Sequence, residues 1–313
     1  MGIKHFCLVG SGGVGTIASL VLTKSALARV TVVLRSKYNY VLEHGWEIDS
    51  VDHGKISRWK PYRVVRSAVE AATVKEVEYD YVVVATKALP SLNPVVKMIS
   101  PVITPGKTTV VLIQNGIGIE QDIVKAYPGN VVMSSVSHIG SEVQEPNVVV
   151  QVGKDVSKTG PHLHGGVDDS RSMAKARSFV EMYIAGGAHT CELVSDIQTA
   201  RWEKLLWNGA FNTVCALMRM DVGELQRSNG RETLLVPMII VQWMAYRLPD
   251  DCAYRPSMLL DLENGRPMEV DVILGNALAK AREVGVETPV LSVVYNLLVL
   301  EEWKIGQRTA GKT

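Results

Sequence analysis

A glycine-rich turn near the amino terminus constrains the fold of this chain more than any other feature. The run Gly10-Ser11-Gly12-Gly13-Val14-Gly15 directly follows an apolar stretch from Ile3 to Val9. A helix-like segment comes next, from Thr16 to Leu27, and a second apolar run extends from Val30 to Leu34. Strand, glycine turn, helix and strand in this order are typical of a dinucleotide-binding unit, whereas G-x-G-x-x-G alone also occurs in ordinary loops.

Each of the three motif glycines has a physical role. Gly10 permits the tight turn, Gly12 lets backbone N–H groups approach a pyrophosphate, and Gly15 lets helix and strand pack closely. The helix N-terminus adds positive potential for the phosphates. The residues predicted to bind the cofactor through this turn are Gly10, Ser11, Gly12, Gly13, Val14 and Gly15.

Position 35 indicates which dinucleotide the turn binds. NAD-binding proteins usually place an acid about 20 residues beyond the glycines, where it holds the ribose 2′-hydroxyl. Here that position is Arg35, followed by Ser36 and Lys37. An acid repels a 2′-phosphate, whereas a guanidinium binds it through paired hydrogen bonds. We therefore predict NADP as the cofactor, with a solvated basic loop as the alternative interpretation.

Two further apolar runs end in polar residues that suit binding. The run Tyr79–Ala85 leads to Lys87, and the run Thr109–Ile113 leads to Asn115. Ligands of open α/β sheets lie at the carboxyl ends of strands, so we expect Lys87 and Asn115 to meet the cofactor or the substrate. An ordinary surface lysine and a simple turn at Asn115-Gly116 are the alternatives.

The next part of the chain predicts two strands and a loop. Residues 131–136 and 148–152 are apolar runs, whereas residues 154–171 are polar and rich in glycine, which predicts a loop. His162 and His164 are too few for a metal site, so we predict no metal and expect both side chains in a solvated loop.

From Ser195 onward the strand-like runs disappear. Ser195 with Gln198 three residues later is the pattern of a capping box and predicts the start of a helix. Further helices are predicted at about 221–229, 231–247, 257–284 and 289–303. The predicted fold class is α/β, with an N-terminal dinucleotide-binding domain over residues 1–194 and an all-α domain over residues 195–313. The apolar helix 231–247 fits either a core or a homodimer interface.

Composition limits the function classes. The 313 residues carry a net charge of +1 without a basic stripe, which argues against nucleic-acid binding. Four scattered cysteines favour a reducing compartment over a disulfide framework. No apolar run reaches the roughly 18 residues that a membrane span needs, and the first predicted strand leaves no room for a signal peptide. We therefore predict a cytoplasmic protein whose partner is a small molecule.

Lys204, Asn208 and Asn212 follow one another at intervals of four residues. On an α-helix this spacing stacks them along one face. The arrangement fits the wall of a cleft, where an ammonium gives up a proton and two amides bind an oxygen-rich substrate. A solvated stripe on a surface helix fits the same spacing.

These motifs together resemble those of the ketopantoate reductase family (2-dehydropantoate 2-reductases). Four segments carry the resemblance, which covers nearly the whole chain: the glycine turn, Lys87 with Gln114-Asn115-Gly116, the Lys204 helix, and Ser257 with the run Gly265–Asp271. The resemblance implies a Rossmann-like domain, an all-helical domain, an active site in the cleft between them and reduction of a 2-oxo acid with NADPH. In most of the family that acid is ketopantoate, which is reduced to pantoate.

The resemblance also implies a role for each candidate residue. Lys204 would be the general acid that protonates the carbonyl oxygen, and Glu269 would hold the substrate hydroxyl and set the charge around the lysine. The remaining implied substrate contacts are those of Asn115, Asn208, Asn212 and Ser257, and Asn115 would also lie beside the nicotinamide. Arg35 and Lys87 would recognise the adenosine 2′-phosphate.

Some residues depart from the family pattern and leave other functions open. Tyr254 stands where an asparagine is common three residues before Ser257, and the residues after Lys87 also differ. A reductase of another 2-oxo acid is the first alternative, since Tyr254 or Trp207 would suit a bulky aromatic substrate. A regulatory NADPH-binding protein without turnover is the second. A methyltransferase is a third, and Arg35 argues against it.

Overall fold

A computed structural model describes residues 2–73, 78–144, 146–235 and 248–310 of the chain. The chain packs into two compact units. The first comprises residues 1–114 and 119–200, and the second comprises residues 115–118 and 201–313. The second unit is therefore built from two separate pieces of sequence. The predicted domain division at residues 194 and 195 stays a prediction, and the packing boundary lies at Ala200.

The first unit contains an eight-stranded sheet among the described residues, in the order β12-β11-β8-β7-β6-β1-β2-β5. Its strands are β1 (Lys4–Val9), β2 (Ala28–Val33), β5 (Arg63–Val65), β6 (Tyr81–Val84), β7 (Thr109–Leu112), β8 (Val132–Ser137), β11 (Val156–Pro161) and β12 (Thr190–Leu193). The six strands from β8 to β5 pair in parallel, whereas β11 runs antiparallel to β8. This parallel sheet, with helices elsewhere in the chain, confirms the predicted fold class.

Both faces of the parallel sheet are covered, as parallel sheets require. On β1, the side chains of Phe6 and Leu8 belong to one apolar core, and those of Cys7 and Val9 to another. Phe6 stacks on Tyr81 of β6 with ring centroids 4.7 Å apart. The nearly continuous apolar sequences of these strands follow from burial on both faces.

The first unit also contains a second sheet, which has four strands among the described residues, in the order β4-β3-β10-β9. Its strands are β3 (Trp46–Ser50), β4 (Gly54–Trp59), β9 (Ser141–Gln144) and β10 (Val148–Gln151). Only β10 was expected from the sequence. The alternating burial of β3 and the mostly exposed β4 explain why neither produces a clear apolar run.

The helices of the first unit flank the large sheet, and one of them continues into the second unit. They are α1 (Gly13–Lys24), α2 (Tyr38–His44), α3 (Ala68–Ala72), α4 (Val95–Ile99), α5 (Gln121–Ala126), α6 (Asp169–Ala185) and α7 (Ile197–Trp207). The start of α7 packs with the first unit, because Ile197 and Ala200 are buried against Val136 of β8.

The regular secondary structure of the second unit, among the described residues, consists of helices alone. After α7 come a π-helical segment (Asn208–Asn212), α8 (Thr213–Met218), α9 (Val222–Arg227), a second π-helical segment (Arg231–Leu235), α10 (Ser257–Glu263), a third π-helical segment (Asp271–Gly275), α11 (Asn276–Glu283) and α12 (Pro289–Ala310). The rest of the predicted helix 231–247, with its place in a core or an interface, lies outside the described residues. None of the described helices is long and apolar enough to cross a bilayer.

Two local predictions about residues 154–171 are wrong. Residues 156–161 form the strand β11, because its polar residues find partners in the sheet, as when Thr159 donates to Ser135 Oγ at 2.9 Å. His162 is buried rather than solvated, with Nε2 2.6 Å from Ser134 Oγ and Nδ1 3.1 Å from Gln198 Nε2.

The predicted capping box at Ser195 is also wrong. The carboxylate of Asp196 accepts hydrogen bonds from both the backbone N–H and the hydroxyl of Thr199, at 3.1 and 2.6 Å. The side chain of Gln198 bonds instead to Glu120, at 2.9 Å. A carboxylate one residue later therefore caps the helix.

A buried carboxylate in the first unit makes stability depend on pH. Asp155 is 1% exposed, and burial raises the pKa of its carboxyl to about 6, with the Asp52 charge acting in the same direction and the hydrogen bond from Tyr183 opposing it. The folded state thus binds this proton more tightly than the unfolded state. The stability that the protonated carboxyl contributes is complete below about pH 4 and is lost as pH rises through about 6.

We expect Asp155→Asn to be more stable than the parent protein at pH 8, by about 2–3 kcal/mol, because asparagine pays no ionisation cost. Urea unfolding at pH 8, 6 and 4 measures this difference, which should shrink towards pH 4. Asp49→Asn, at an exposed site, is the control. A difference that stays constant with pH would contradict the assignment.

Candidate active site

Neighbouring backbone packs closely against three glycines of the turn, whereas Gly12 faces open space. Gly10 has φ +107°, and a Cβ there would lie 2.5 Å from the backbone nitrogen of Thr86. A Cβ on Gly15 would lie 1.8 Å from the Gly10 carbonyl oxygen. A Cβ on Gly13 would lie 2.6 Å from the backbone of Ser141. At these three positions a side chain would displace backbone.

Gly12 differs from the other glycines of the turn and provides the test of whether a dinucleotide fits. A Cβ there would meet nothing within 4 Å, and Gly12 is the N-cap of α1 without a side-chain capping bond. The first turn of α1 contains no acidic residue. Open space before the amides of a helix N-terminus suits a pyrophosphate, so the residues present fit the group that the motif predicts.

The sheet places the other predicted cofactor residues on both sides of this turn. Arg35 follows β2 and is exposed, and Lys87 follows β6 and is half-buried. Strands β2 and β6 are the two neighbours of β1, which leads into the glycine turn. All three segments therefore lie at the carboxyl edge of the parallel sheet, where ligands of this fold bind. Gln114, after β7, donates to the Thr86 carbonyl at 2.9 Å at the same edge.

In the second unit, the predicted stripe of Lys204, Asn208 and Asn212 is not on a regular α-helix. Lys204 lies in the last turn of α7, and residues 208–212 form a π-helical segment, so the predicted α-helical stacking is wrong in detail. Asn208 and Asn212 are 5% and 4% exposed, and Asn212 Nδ2 donates to Asn208 Oδ1 at 3.3 Å. Buried amides exclude the solvated stripe for these two residues. π-helical turns occur often at functional sites.

Asn115 and Glu269 are brought together although they are far apart in sequence. Asn115 Nδ2 donates to Glu269 Oε2 at 3.0 Å, and the Glu269 residue is 8% exposed. The segment 115–118 lies along the π-helical segment Asp271–Gly275. Ile117 N donates to the Val272 carbonyl at 2.9 Å, and Asn276 Nδ2 donates to the Ile117 carbonyl at 2.6 Å.

Charge and burial set the protonation of Lys204. Burial lowers the pKa of its ammonium to about 8, while the carboxylate of Glu269 opposes this shift and the guanidinium of Arg201 adds to it. Arg201 is 4% exposed, and its Nη1 donates to the Gly116 carbonyl at 2.8 Å. Arg201 was not among the residues predicted from the sequence, although its position three residues before Lys204 places it on the same face of α7.

Ser257 is exposed at the first position of α10. No hydrogen bond between its side chain and Lys204, Glu269 or the asparagines is found among the described residues. The ring of Trp207, next in sequence to Asn208, stacks on Phe211 with centroids 3.9 Å apart and lies 6.5 Å from the ring of Tyr254. The second unit thus contains a lysine, a carboxylate and three amides, together with an aromatic cluster of Trp207, Phe211 and Tyr254.

Comparison with protein families identifies the group to which this architecture belongs. The family model described as ketopantoate reductase PanE/ApbA matches residues 6–163. The model described as ketopantoate reductase PanE/ApbA C terminal matches residues 196–247 and 239–302. The chain belongs to the ketopantoate reductase family, which confirms the resemblance found in the sequence.

Individual relatives cover nearly the whole chain. Uncharacterized protein YDL144C of Saccharomyces cerevisiae is 34% identical and covers 98% of this chain and 96% of the yeast protein. The crystal structure of 2-dehydropantoate 2-reductase from Methylococcus capsulatus is 28% identical, with a TM-score of 0.80 and coverage of 96% and 97%. The ternary structure of D-mandelate dehydrogenase with NADH and anilino(oxo)acetate has a TM-score of 0.79 over 97% and 100%; at 19% identity it shows the fold alone.

We expect Glu269→Gln to lower the pKa of Lys204 further, because the carboxylate charge opposes the effect of burial. The pH dependence of Lys204 acylation, followed by peptide mass spectrometry, measures the shift, since only the neutral amine reacts. Glu301→Gln makes the same charge change on α12, where Glu301 pairs with Arg219. An unmoved midpoint in Glu269→Gln would show that Glu269 does not act on Lys204.

Proposed function

We propose that this protein reduces a 2-oxo acid to a 2-hydroxy acid with NADPH. The preferred substrate in this proposal is 2-dehydropantoate, whose reduction to pantoate belongs to pantothenate and coenzyme A biosynthesis. Membership of the ketopantoate reductase family supports the reaction class. The observation that carries the proposal is the position of Lys204 on α7 beside Arg201, which binds the Gly116 carbonyl next to the Asn115–Glu269 pair. Burial lowers the pKa of Lys204 to about 8, with Glu269 opposing this shift and Arg201 adding to it.

Lys204 is the proposed general acid. Reduction of a ketone builds negative charge on its oxygen, which a nearby ammonium stabilises and then protonates. A pKa of about 8 leaves Lys204 mostly protonated at pH 7 and makes it a stronger acid than a free lysine, whose pKa is about 10.4. The positive charges of Lys204 and Arg201 also attract an anionic 2-oxo acid.

The amides and the carboxylate are the proposed substrate contacts. Asn208 and Asn212 offer donors and acceptors without adding charge, so they bind substrate oxygens without weakening the attraction of Lys204. The carboxylate of Glu269 would accept a hydrogen bond from a substrate hydroxyl, such as that of 2-dehydropantoate. Ser257 is the proposed contact of the substrate carboxylate, and Asn115 is placed by its bond to Glu269.

The first unit would hold the cofactor. The first turn of α1 with Gly12 would bind the pyrophosphate, and Arg35 and Lys87 are the proposed contacts of the adenosine half. When bound, the nicotinamide supplies the hydride that reaches the substrate carbonyl. The protein's own part is to bind, to orient and to deliver the proton from Lys204.

A bulkier substrate is the second candidate, and one observation favours it. The ring of Trp207, next in sequence to Asn208, lies 6.5 Å from the partly exposed ring of Tyr254 and stacks on the fully buried Phe211. The pair of Trp207 and Tyr254 suits an aromatic 2-oxo acid, and the fold is shared with a D-mandelate dehydrogenase. A protein that binds NADPH without turnover is disfavoured by the presence of both Lys204 and Glu269.

The substrate is tested by following NADPH absorbance with 2-dehydropantoate, pyruvate, 2-oxoisovalerate and phenylglyoxylate. We expect fast oxidation with 2-dehydropantoate, because Glu269 can bind its hydroxyl. Oxidation with phenylglyoxylate alone would transfer the assignment to the aromatic 2-oxo acid. Retained NADPH binding without oxidation by any of the four acids would contradict the proposed activity.

We expect Lys204→Ala to lower kcat by roughly 10²-fold or more while NADPH affinity stays unchanged, as loss of a general acid predicts. In the parent enzyme, kcat/KM for reduction should fall above about pH 8, where Lys204 of the free protein loses its proton. The control is Lys280→Ala, which removes an exposed ammonium paired with Glu283. A near-parental rate in Lys204→Ala would disprove the mechanism.

We expect Arg35→Ala to weaken NADPH binding by about tenfold and to leave NADH binding nearly unchanged, since only NADPH carries the 2′-phosphate. Titration of both cofactors, followed by protein fluorescence, gives the two dissociation constants. Equal losses for NADPH and NADH would remove Arg35 from the 2′-phosphate site.

A further inference from the structure

A second arginine lies at the same edge of the sheet as Arg35. Strand β5 pairs in parallel with β2, with Val65 opposite Val33. The backbone N–H of Leu34 then donates to the Val65 carbonyl at 2.8 Å. Arg35 is the second residue after the end of β2, and Arg66 directly follows β5. Both are exposed, and both leave the sheet at its carboxyl edge.

Contacts with α2 fix the position of the Arg66 side chain. Its guanidinium carbon lies 4.4 Å from the centroid of the Tyr38 ring, and Nη2 donates to Asn39 Oδ1 at 3.0 Å. Tyr38 and Asn39 begin the helix that follows Arg35. The backbone N–H of Tyr38 donates to the Arg35 carbonyl, with 3.5 Å between nitrogen and oxygen. The Arg66 guanidinium is therefore attached to the turn that carries Arg35.

Few of the hydrogen-bond donors of Arg66 are used by these contacts. A guanidinium has five N–H donors, and Asn39 accepts one of them. The carboxylate of Glu70 binds the backbone N–H of Arg66 at 2.7 Å. Stacking on an aromatic ring orients a guanidinium while leaving its edge available to an anion.

The strand that precedes Arg66 lies nearer to β2 than the strand that precedes Lys87. Strand β5 is the direct neighbour of β2, about 4.8 Å away, whereas β6 is two strands away, across β1, at about 10 Å. The strand order therefore makes Arg66 a candidate to share a phosphate with Arg35. Lys87 lies on the other side of the glycine turn.

We propose that Arg66 is the second guanidinium that recognises the 2′-phosphate of NADPH, together with Arg35. The inference rests on the proposed NADPH preference and names a residue that sequence motifs did not indicate. Two guanidinium groups on neighbouring strands bind a dianion from two directions. The ring of Tyr38 pre-orders one of them, which reduces the entropy lost on binding.

The test measures binding directly, so that it does not depend on the substrate. The parent protein and Arg66→Ala are titrated calorimetrically with NADPH, NADH and adenosine 2′,5′-bisphosphate. We expect Arg66→Ala to weaken NADPH and the bisphosphate by about 10-fold to 100-fold, as for a hydrogen-bonded charge pair, and to change NADH less than twofold. Arg66→Lys should recover only part of the affinity, because an ammonium lacks the paired geometry.

The matched control is Arg29→Ala. Arg29 is also exposed and also lies over a tyrosine, 5.1 Å from the Tyr62 centroid, but it lies near the amino end of β2. The variant Arg29→Ala removes the same charge and the same type of stacking, but far from the carboxyl edge of the sheet. Its NADPH affinity should therefore match that of the parent protein. Equal NADPH losses in Arg29→Ala and Arg66→Ala would reduce the role of Arg66 to general charge and overturn the inference.

The titrations distinguish a failure of the proposed NADPH preference from a failure of the role proposed for Arg66. A parent protein that binds NADH as tightly as NADPH would overturn the NADPH preference itself, and Arg66 with it. A parent that prefers NADPH, with Arg35→Ala weakened and Arg66→Ala unchanged, would overturn only the role of Arg66. In the double variant we expect losses smaller than the product of the single ones, since both arginines bind one phosphate.

Discussion

The candidate site of the second unit depends on how residues 115–118 lie along the π-helical segment 271–275. Gly116 has φ +96°, and a Cβ there would lie 2.6 Å from Cβ of Val272, so only glycine allows this approach. The approach lets Ile117 pair with the Val272 carbonyl and carries Asn115 to Glu269. Arg201 holds the Gly116 carbonyl from α7, the helix that also carries Lys204. One close backbone contact thus links the amide, the carboxylate and the lysine.

Much of the fold was predictable because its central strands are buried on both faces. Burial on both faces requires continuous apolar runs, which are recognisable in the sequence. The glycine turn was predictable because each glycine answers a local requirement. The strands β3 and β4 were not, since exposure on one face removes the run. The strand β11 was missed because it contains polar residues. The hydroxyl of Thr159 is buried there because it donates to Ser135, a residue distant in sequence on another strand of the sheet.

The candidate site, like the fold, has features that the sequence predicts and features that depend on packing. Lys204, Asn208 and Asn212 were found from spacing alone, but the π-helical geometry between them depends on packing that spacing does not encode. Asn115 and Glu269 were each indicated by the family resemblance, but the hydrogen bond between them is seen only in the structure. The proximity of Arg66 to the end of β2 follows only from the register of β5 on β2, because no sequence motif connects residues 35 and 66. The acidity of Lys204 likewise follows from burial and from Arg201.

The discontinuous second unit also limits how this architecture can be recombined. A fragment that begins at residue 201 contains Lys204 and Glu269 but lacks residues 115–118, which belong to the same compact unit. In such a fragment the Val272 carbonyl and the side chain of Asn276 lose the backbone groups that they bind. Chimeras between relatives that exchange only residues 201–313 would therefore combine residues 115–118 of one parent with the helices of another. Exchanging both pieces together keeps the contacts between residues 115–118 and the helices of one parent intact.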